Sequence, residues 1–191
     1  LLKAQPPLAE LEATSSFCST LPLAIARLHG QSTPVHETVL GAVQALCTCF
    51  DSEHVKAHSD AAAALERVFK ACIGEVQLQA AVDAAEQPSA GVLPPLLQRV
   101  FSAVEMLLQV RFHKAWPQAL PVVGKLFEHC GTHSAVLLRR LVVCLGQVCE
   151  AIDSSPASPP AVRKALDDAL GTAIENMGAE AFLDAVPLLQ P

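Results

Sequence analysis

Apolar residues return at helical intervals along most of this chain, and most regularly over residues 94–131. There Leu97, Phe101, Val104 and Leu108 recur every third or fourth position, with Leu96, Val100 and Leu107 beside them. Gln98, Ser102, Glu105 and Gln109 fall on the other side, so the pattern predicts an amphipathic helix with a broad buried stripe. Trp116, Leu120, Val123 and Phe127 repeat the spacing, flanked by Val122 and Leu126, and Gly131 is suited to end this second helix. The two read as a hairpin with a turn of about four residues between its helices. Pro121 lies inside the second helix and lacks the N–H that would reach the carbonyl at 117, which predicts a kink or a late start. Trp116 is expected to anchor the hairpin against the preceding helix, near Phe101 or Phe112. Two short helices cannot bury such wide stripes on each other alone, and a stack of hairpins solves the problem.

The same period extends to both sides. Residues 1–15 read as the remnant of a preceding repeat, with Pro6-Pro7 starting a short helix. A helix over 16–29 would bury Phe17, Leu21, Ala24, Ile25 and Leu28. Thr33-Pro34 is a start signal, an N-cap followed by Pro at the first helical position, for a helix that buries Val39, Val43, Leu46 and Phe50. After the polar stretch DSEHVKAHS, Ser59 is expected to cap a helix carrying Leu65, Val68, Phe69 and Cys72 and stopping near Gly74. EVQLQAAVDAAE can be helical, whereas QPSAGV is a loop by its Gly, Pro and Ser content. Leu137, Leu138, Leu141, Leu145, Val148 and Ile152 mark a further helix. AIDSSPASPP then links to a long one with Val162, Leu166, Leu170, Ala173 and Met177 inward, broken at Gly178 before EAFLDAVPL. Helix starts near 94 and 134 are about 40 residues apart, the HEAT period. The expected fold is all-α, a right-handed α-solenoid of HEAT-like helical hairpins, divided into hairpins over 1–91 and repeats over 92–191.

Composition agrees with helices. Of 191 residues, 51% are hydrophobic but only 4% aromatic, and Ala and Leu dominate over β-branched runs. No apolar run approaches the ~18–20 residues of a membrane span. The chain begins at Leu1 rather than Met, which suggests a piece of something longer. Seven cysteines, an odd number placed mostly on apolar faces, fit core thiols in a reducing compartment, cytoplasm or nucleus.

Charge is uneven. Lys and Arg number 5 against 10 Asp and Glu over residues 1–93, 8 against 4 over 94–166, and none against 5 over 167–191. The basic centre contains Arg111 and Lys114 at the hairpin turn, Lys125 on the polar face that follows, then Arg139 with Arg140, and Arg163 with Lys164. In stacked hairpins such repeated positions can form a stripe that contacts phosphates, set against an ordinary solvated surface. Few aromatics accompany them, so base stacking is not expected.

Other chemistry is sparse. Cys47, Cys49, His54 and His58 have thiol and imidazole types that bind zinc, but Cys47 and Cys49 sit about 200° apart on a helix. His129, Cys130 and His133 cluster at the Gly131 turn, where a histidine also suits the helix dipole. Gly124, Gly131 and Gly146 are isolated and form no nucleotide loop, and Asp167-Asp168 read as a solvated pair. Ser155-Pro156 and Ser158-Pro159 are minimal sites for a proline-directed kinase, close to Arg163 and Lys164. No cofactor, metal or small-molecule substrate is expected, and no enzyme.

The segments VFSAVEMLLQVRFHKAWPQALPVVGKLFEHCG and AIENMGAEAFLDAVPL, in that order, resemble the central region of the ribosomal RNA-processing protein twelve family. The resemblance covers roughly residues 94–191 well and 17–74 loosely, and carries no catalytic signature. It implies a HEAT-type, non-catalytic scaffold for assembly or export of the small ribosomal subunit precursor. Implied partners are pre-ribosomal particle proteins, with ribosomal RNA through the basic centre as the further expectation. Implied location is the nucleus and nucleolus, with shuttling to the cytoplasm left open. The alternatives are a karyopherin-type transport receptor or adaptor, also a HEAT solenoid, and a metal-dependent enzyme using the Cys and His clusters.

Overall fold

A computed structural model describes residues 6, 8–29, 37–86, 95–154 and 159–186. Every regular element among the described residues is helical. Among the described residues the α-helices are α1 Leu11–Leu28, α2 Glu37–Thr48, α3 Val55–Cys72, α4 Glu75–Glu86, α5 Leu96–Glu105, α6 Trp116–Cys130, α7 Ser134–Leu137, α8 Arg139–Asp153, α9 Pro160–Met177 and α10 Ala179–Ala185. The chain divides into two compact units, Leu1–Leu107 and Leu108–Pro191.

In the first unit α1 packs most extensively on α3, and α2 on α5. The largest interfaces thus join helices that are not consecutive, which is how stacked hairpins bury their stripes. Helix α1 begins at Leu11, five residues before the expected start at 16. Thr14 explains the extension: it is fully buried, and its hydroxyl donates to the Glu10 carbonyl at 3.0 Å, so its polar group is satisfied inside the helix. Pro22 sits inside α1 at a buried position. Helix α3 begins at Val55 rather than at Ser59. Ala57, His58 and Ala61 are buried and carry the apolar stripe one turn further back than the large residues do. Between α2 and α3 the chain makes a 3-10 turn, Cys49–Asp51, and the Ser52 hydroxyl then accepts from the His54 N–H at 3.3 Å. At the start of α4 the Gln77 side chain reaches back to the Gly74 N–H at 2.9 Å, half of a capping box. Val39, Val43, Leu46, Phe50, Leu65, Val68, Phe69 and Cys72 are all buried, as their spacing predicts.

In the second unit α6 packs chiefly on α9, with α8 and α10 also on α9. The expected short turn before α6 is instead a longer stretch, 3-10 over Met106–Leu108 and again over Val110–Ala115. Pro117 accounts for it: without an N–H it cannot bond the carbonyl at 113, so the α-helix starts at Trp116 with Pro117 in its first turn. Pro121 falls one turn further in, inside a helix that runs unbroken to Cys130. The helix expected over 137–152 is likewise divided, because Leu138 leaves helical geometry (φ −111°, ψ 12°) between α7 and α8. Gly131 and Gly178 take positive φ, 51° and 84°, and end α6 and α9 where a side chain would be strained. Trp116 is 5% exposed, and Leu120, Val123, Phe127, Leu166 and Ala173 are fully buried. Each large side chain removed from water in this way contributes about 1.5–3 kcal/mol before entropy is counted. Gly124 marks the close approach of α6 to α9: a Cβ there would lie 3.7 Å from the Ala169 Cα and 3.9 Å from the Thr172 hydroxyl.

The Thr33-Pro34 start, the QPSAGV loop and the two serines of the Ser-Pro pairs lie outside the described residues.

Candidate functional site

Seven of the eight cations over 94–166, the candidates for phosphate contact, belong to the second unit and are exposed, while the eighth, Arg99, belongs to the first unit and pairs with Glu37 at 2.6 Å. Their side chains meet different surroundings. Arg111 lies on the 3-10 stretch with its guanidinium 4.4 Å above the ring of buried Phe112, a cation–π contact that holds it flat on the surface. Lys114 follows on the same stretch. Lys125, on α6, pairs with Glu128 at 2.7 Å. Arg139, at the start of α8, donates to the Asp184 carbonyl at 2.7 Å, which places a cation at the C-terminal end of α10. Arg140 is its exposed neighbour. Arg163, near the start of α9, pairs with Asp153 from the end of α8. That guanidinium holds the Asp153 carboxyl below the usual range and is itself held more firmly protonated.

The fold brings Lys125 and Lys164 together. They line one shallow groove of about 340 Å³ between α6 and α9, together with Glu128, Asp168, Pro121, Gly124, Ala165 and Ala169. Arg111, Lys114, Arg139, Arg140 and Arg163 do not join that groove. The residues that sequence reasoning missed are the partners. Lys125 and Glu128 are three apart on one helix, a spacing that could have flagged the pair. Asp153 and Arg163 meet across the interhelical link, and no local signal announces that.

The Cys and His clusters separate. Cys47 is buried, which pushes its thiol up to about 12, and the Cys49 sulfur lies beside that of Cys18. His58 is buried, bonded through Nε2 to the Ser52 carbonyl at 2.7 Å and stacked on Phe50 at 5.9 Å, so it is a core residue rather than a solvated one. Cys130 is likewise raised to about 12 by burial. Among the described residues no three His, Cys, Asp or Glu side chains are grouped to hold a metal ion. No helix among them is long and apolar enough to cross a membrane.

Stacked amphipathic helices of this kind, with polar groups on the outside, define an all-α helical-repeat protein of the solenoid class. Comparison with known proteins narrows the class. A family model described as "Ribosomal RNA-processing protein 12, HEAT repeats" matches residues 51–190. An RRP12-like protein of Gallus gallus is 34% identical over 144 residues, covering 75% of this chain and 10% of the relative. An RRP12-like protein of Homo sapiens is 32% identical over 143 residues, covering 74% of this chain and 10% of the relative. With most of its length matched, the chain belongs to the ribosomal RNA-processing protein 12 HEAT-repeat family. It spans 10% of the length of those two relatives.

Proposed function

We propose that this chain is a non-catalytic scaffold segment acting in biogenesis of the small ribosomal subunit, in the nucleolus and nucleus. The observation that carries the reading is the family match over residues 51–190. A stack of helices supports it physically, because such a fold offers a long surface to several partners rather than one deep pocket. Contacts are divided by charge. The exposed cations over 94–166 meet ribosomal RNA phosphates, while the acidic stretches on either side suit basic ribosomal or assembly proteins. Within the basic set, Lys114 and Lys164 carry the phosphate contact. Arg163 and Lys125 are neutralised by Asp153 and Glu128, and Arg139 serves the fold through the Asp184 carbonyl. Crosslinking the full-length protein in cells and mapping its adducts tests this. RNA adducts are expected within 94–166 and protein adducts on the flanks. Adducts from this chain confined to transport cargo and Phe-Gly repeat proteins would instead favour a transport receptor.

A further inference from the structure

The stretch Val110–Ala115 of the second unit offers a surface that phosphate contacts alone do not use. It is a 3-10 helix, with about three residues per turn, so residues three apart share an edge. Phe112 and Ala115 form the buried edge. Arg111 and Lys114 share an exposed one, displaced by about 6 Å along the axis. Val110 and His113 form the third, also exposed, and the His113 Nδ1–H donates to the Val110 carbonyl at 3.1 Å, which ties that turn.

The Arg111 guanidinium carbon lies 4.4 Å from the centroid of the Phe112 ring, and Phe112 is only 4% exposed. The ring therefore backs one side of a planar cation whose other side is open to solvent. Among the described residues no hydrogen bond or ion pair draws Arg111 or Lys114 away, whereas Glu128 holds Lys125 and Asp153 holds Arg163. Resting on Phe112 also removes, before any ligand arrives, part of the rotamer freedom that a long side chain loses on binding.

We propose that Arg111 is a stacking platform for one unpaired base of single-stranded RNA, with Lys114 on the phosphate beside it. The platform rests on the RNA reading of the basic centre and adds a base contact to it. A guanidinium plane stacks on a base much as an aromatic ring does, so the scarcity of exposed rings does not deny this surface a base. The order outward is Phe112, Arg111, base. Every base has a π face, so the contact is indifferent to which one occupies it. Bases already stacked inside a duplex cannot enter, so the platform selects unpaired strand.

The test measures binding of the wild-type chain and of Arg111→Lys to two probes over a salt series. One probe is a single-stranded oligouridylate, the other a ribose-phosphate oligomer of equal length that lacks bases. Lys keeps the charge and loses the plane, and because position 111 is exposed the helical signal should not change. For the wild type, the bases are expected to tighten binding about fivefold. Arg111→Lys should lose most of that advantage, with affinity for the base-free oligomer and salt slope as in the wild type. Equal affinity of the wild type for both probes, or a base advantage that survives in Arg111→Lys, would overturn the platform and leave the phosphate contacts standing. No salt-dependent binding of either probe would overturn both.

Discussion

Gly171 sits exposed in the interior of α9, and a Cβ built there would meet no atom within 4 Å. Its cost is the backbone freedom that glycine loses on entering a helix. Gly171→Ala is expected to stabilise the second unit by about 0.5–1 kcal/mol, read as a higher urea midpoint. An unchanged midpoint would mean that α9 is not helical at this position in solution. Trp116 tests the opposite kind of residue. It is 5% exposed with its indole N–H unpartnered, so Trp116→Ala should cost about 3–5 kcal/mol. Trp116→Phe should cost far less, because no hydrogen bond is lost with the nitrogen. An Ala variant that unfolds at the wild-type midpoint would remove Trp116 from the core. Large apolar residues such as Phe101, Phe127 and Leu65 were legible as core from spacing alone. Thr14 and His58 were not, because each is buried by a bond to a backbone carbonyl that only the folded chain supplies.

At the level of elements, period decided the helices and backbone detail decided their ends. Helix α4 matches its sequence pattern from Glu75 to Glu86, whereas α1 and α3 start a turn or more early, where small or self-satisfied residues hide the stripe. The connection from α5 to α6 is longer than the apolar pattern predicts because Pro117, four residues before Pro121, sets the start of α6. The α1–α3 interface carries a pH dependence. Burial raises the Asp60 carboxyl, but hydrogen bonds from Lys56 and Ser15 outweigh it and leave the group below the usual carboxylate range. A carboxyl depressed on folding adds stability above the ordinary carboxylate range, and that contribution is lost as pH falls through the depressed folded value. Asp60→Asn should therefore be less stable than wild type at neutral pH, and the gap should close in acid. Parallel stability curves from about pH 6 to about pH 2.5 would show that the interaction is absent.

For the whole molecule, family and helical class were readable because they rest on many residues at once. Repeat spacing, an alanine- and leucine-rich composition and two ordered segments all point the same way. The basic stripe was only partly readable. The seven cations could be named, but not that Asp153 and Glu128 neutralise two of them, that Arg139 caps α10, or that Lys125 and Lys164 share a groove. Reversing Arg139 would thus disturb packing as well as charge, and Lys114 and Lys164 are the better probes of contact with phosphate. The most direct measurement is a salt titration of single-stranded RNA binding by the wild-type chain and by Lys114→Glu/Lys164→Glu, with the helical signal checked in both. The account predicts weak binding, indifferent to sequence, that falls steeply as salt rises, with a shallower salt slope and lower affinity in the double variant. Equal affinity in the two chains, or binding flat with salt, would contradict it.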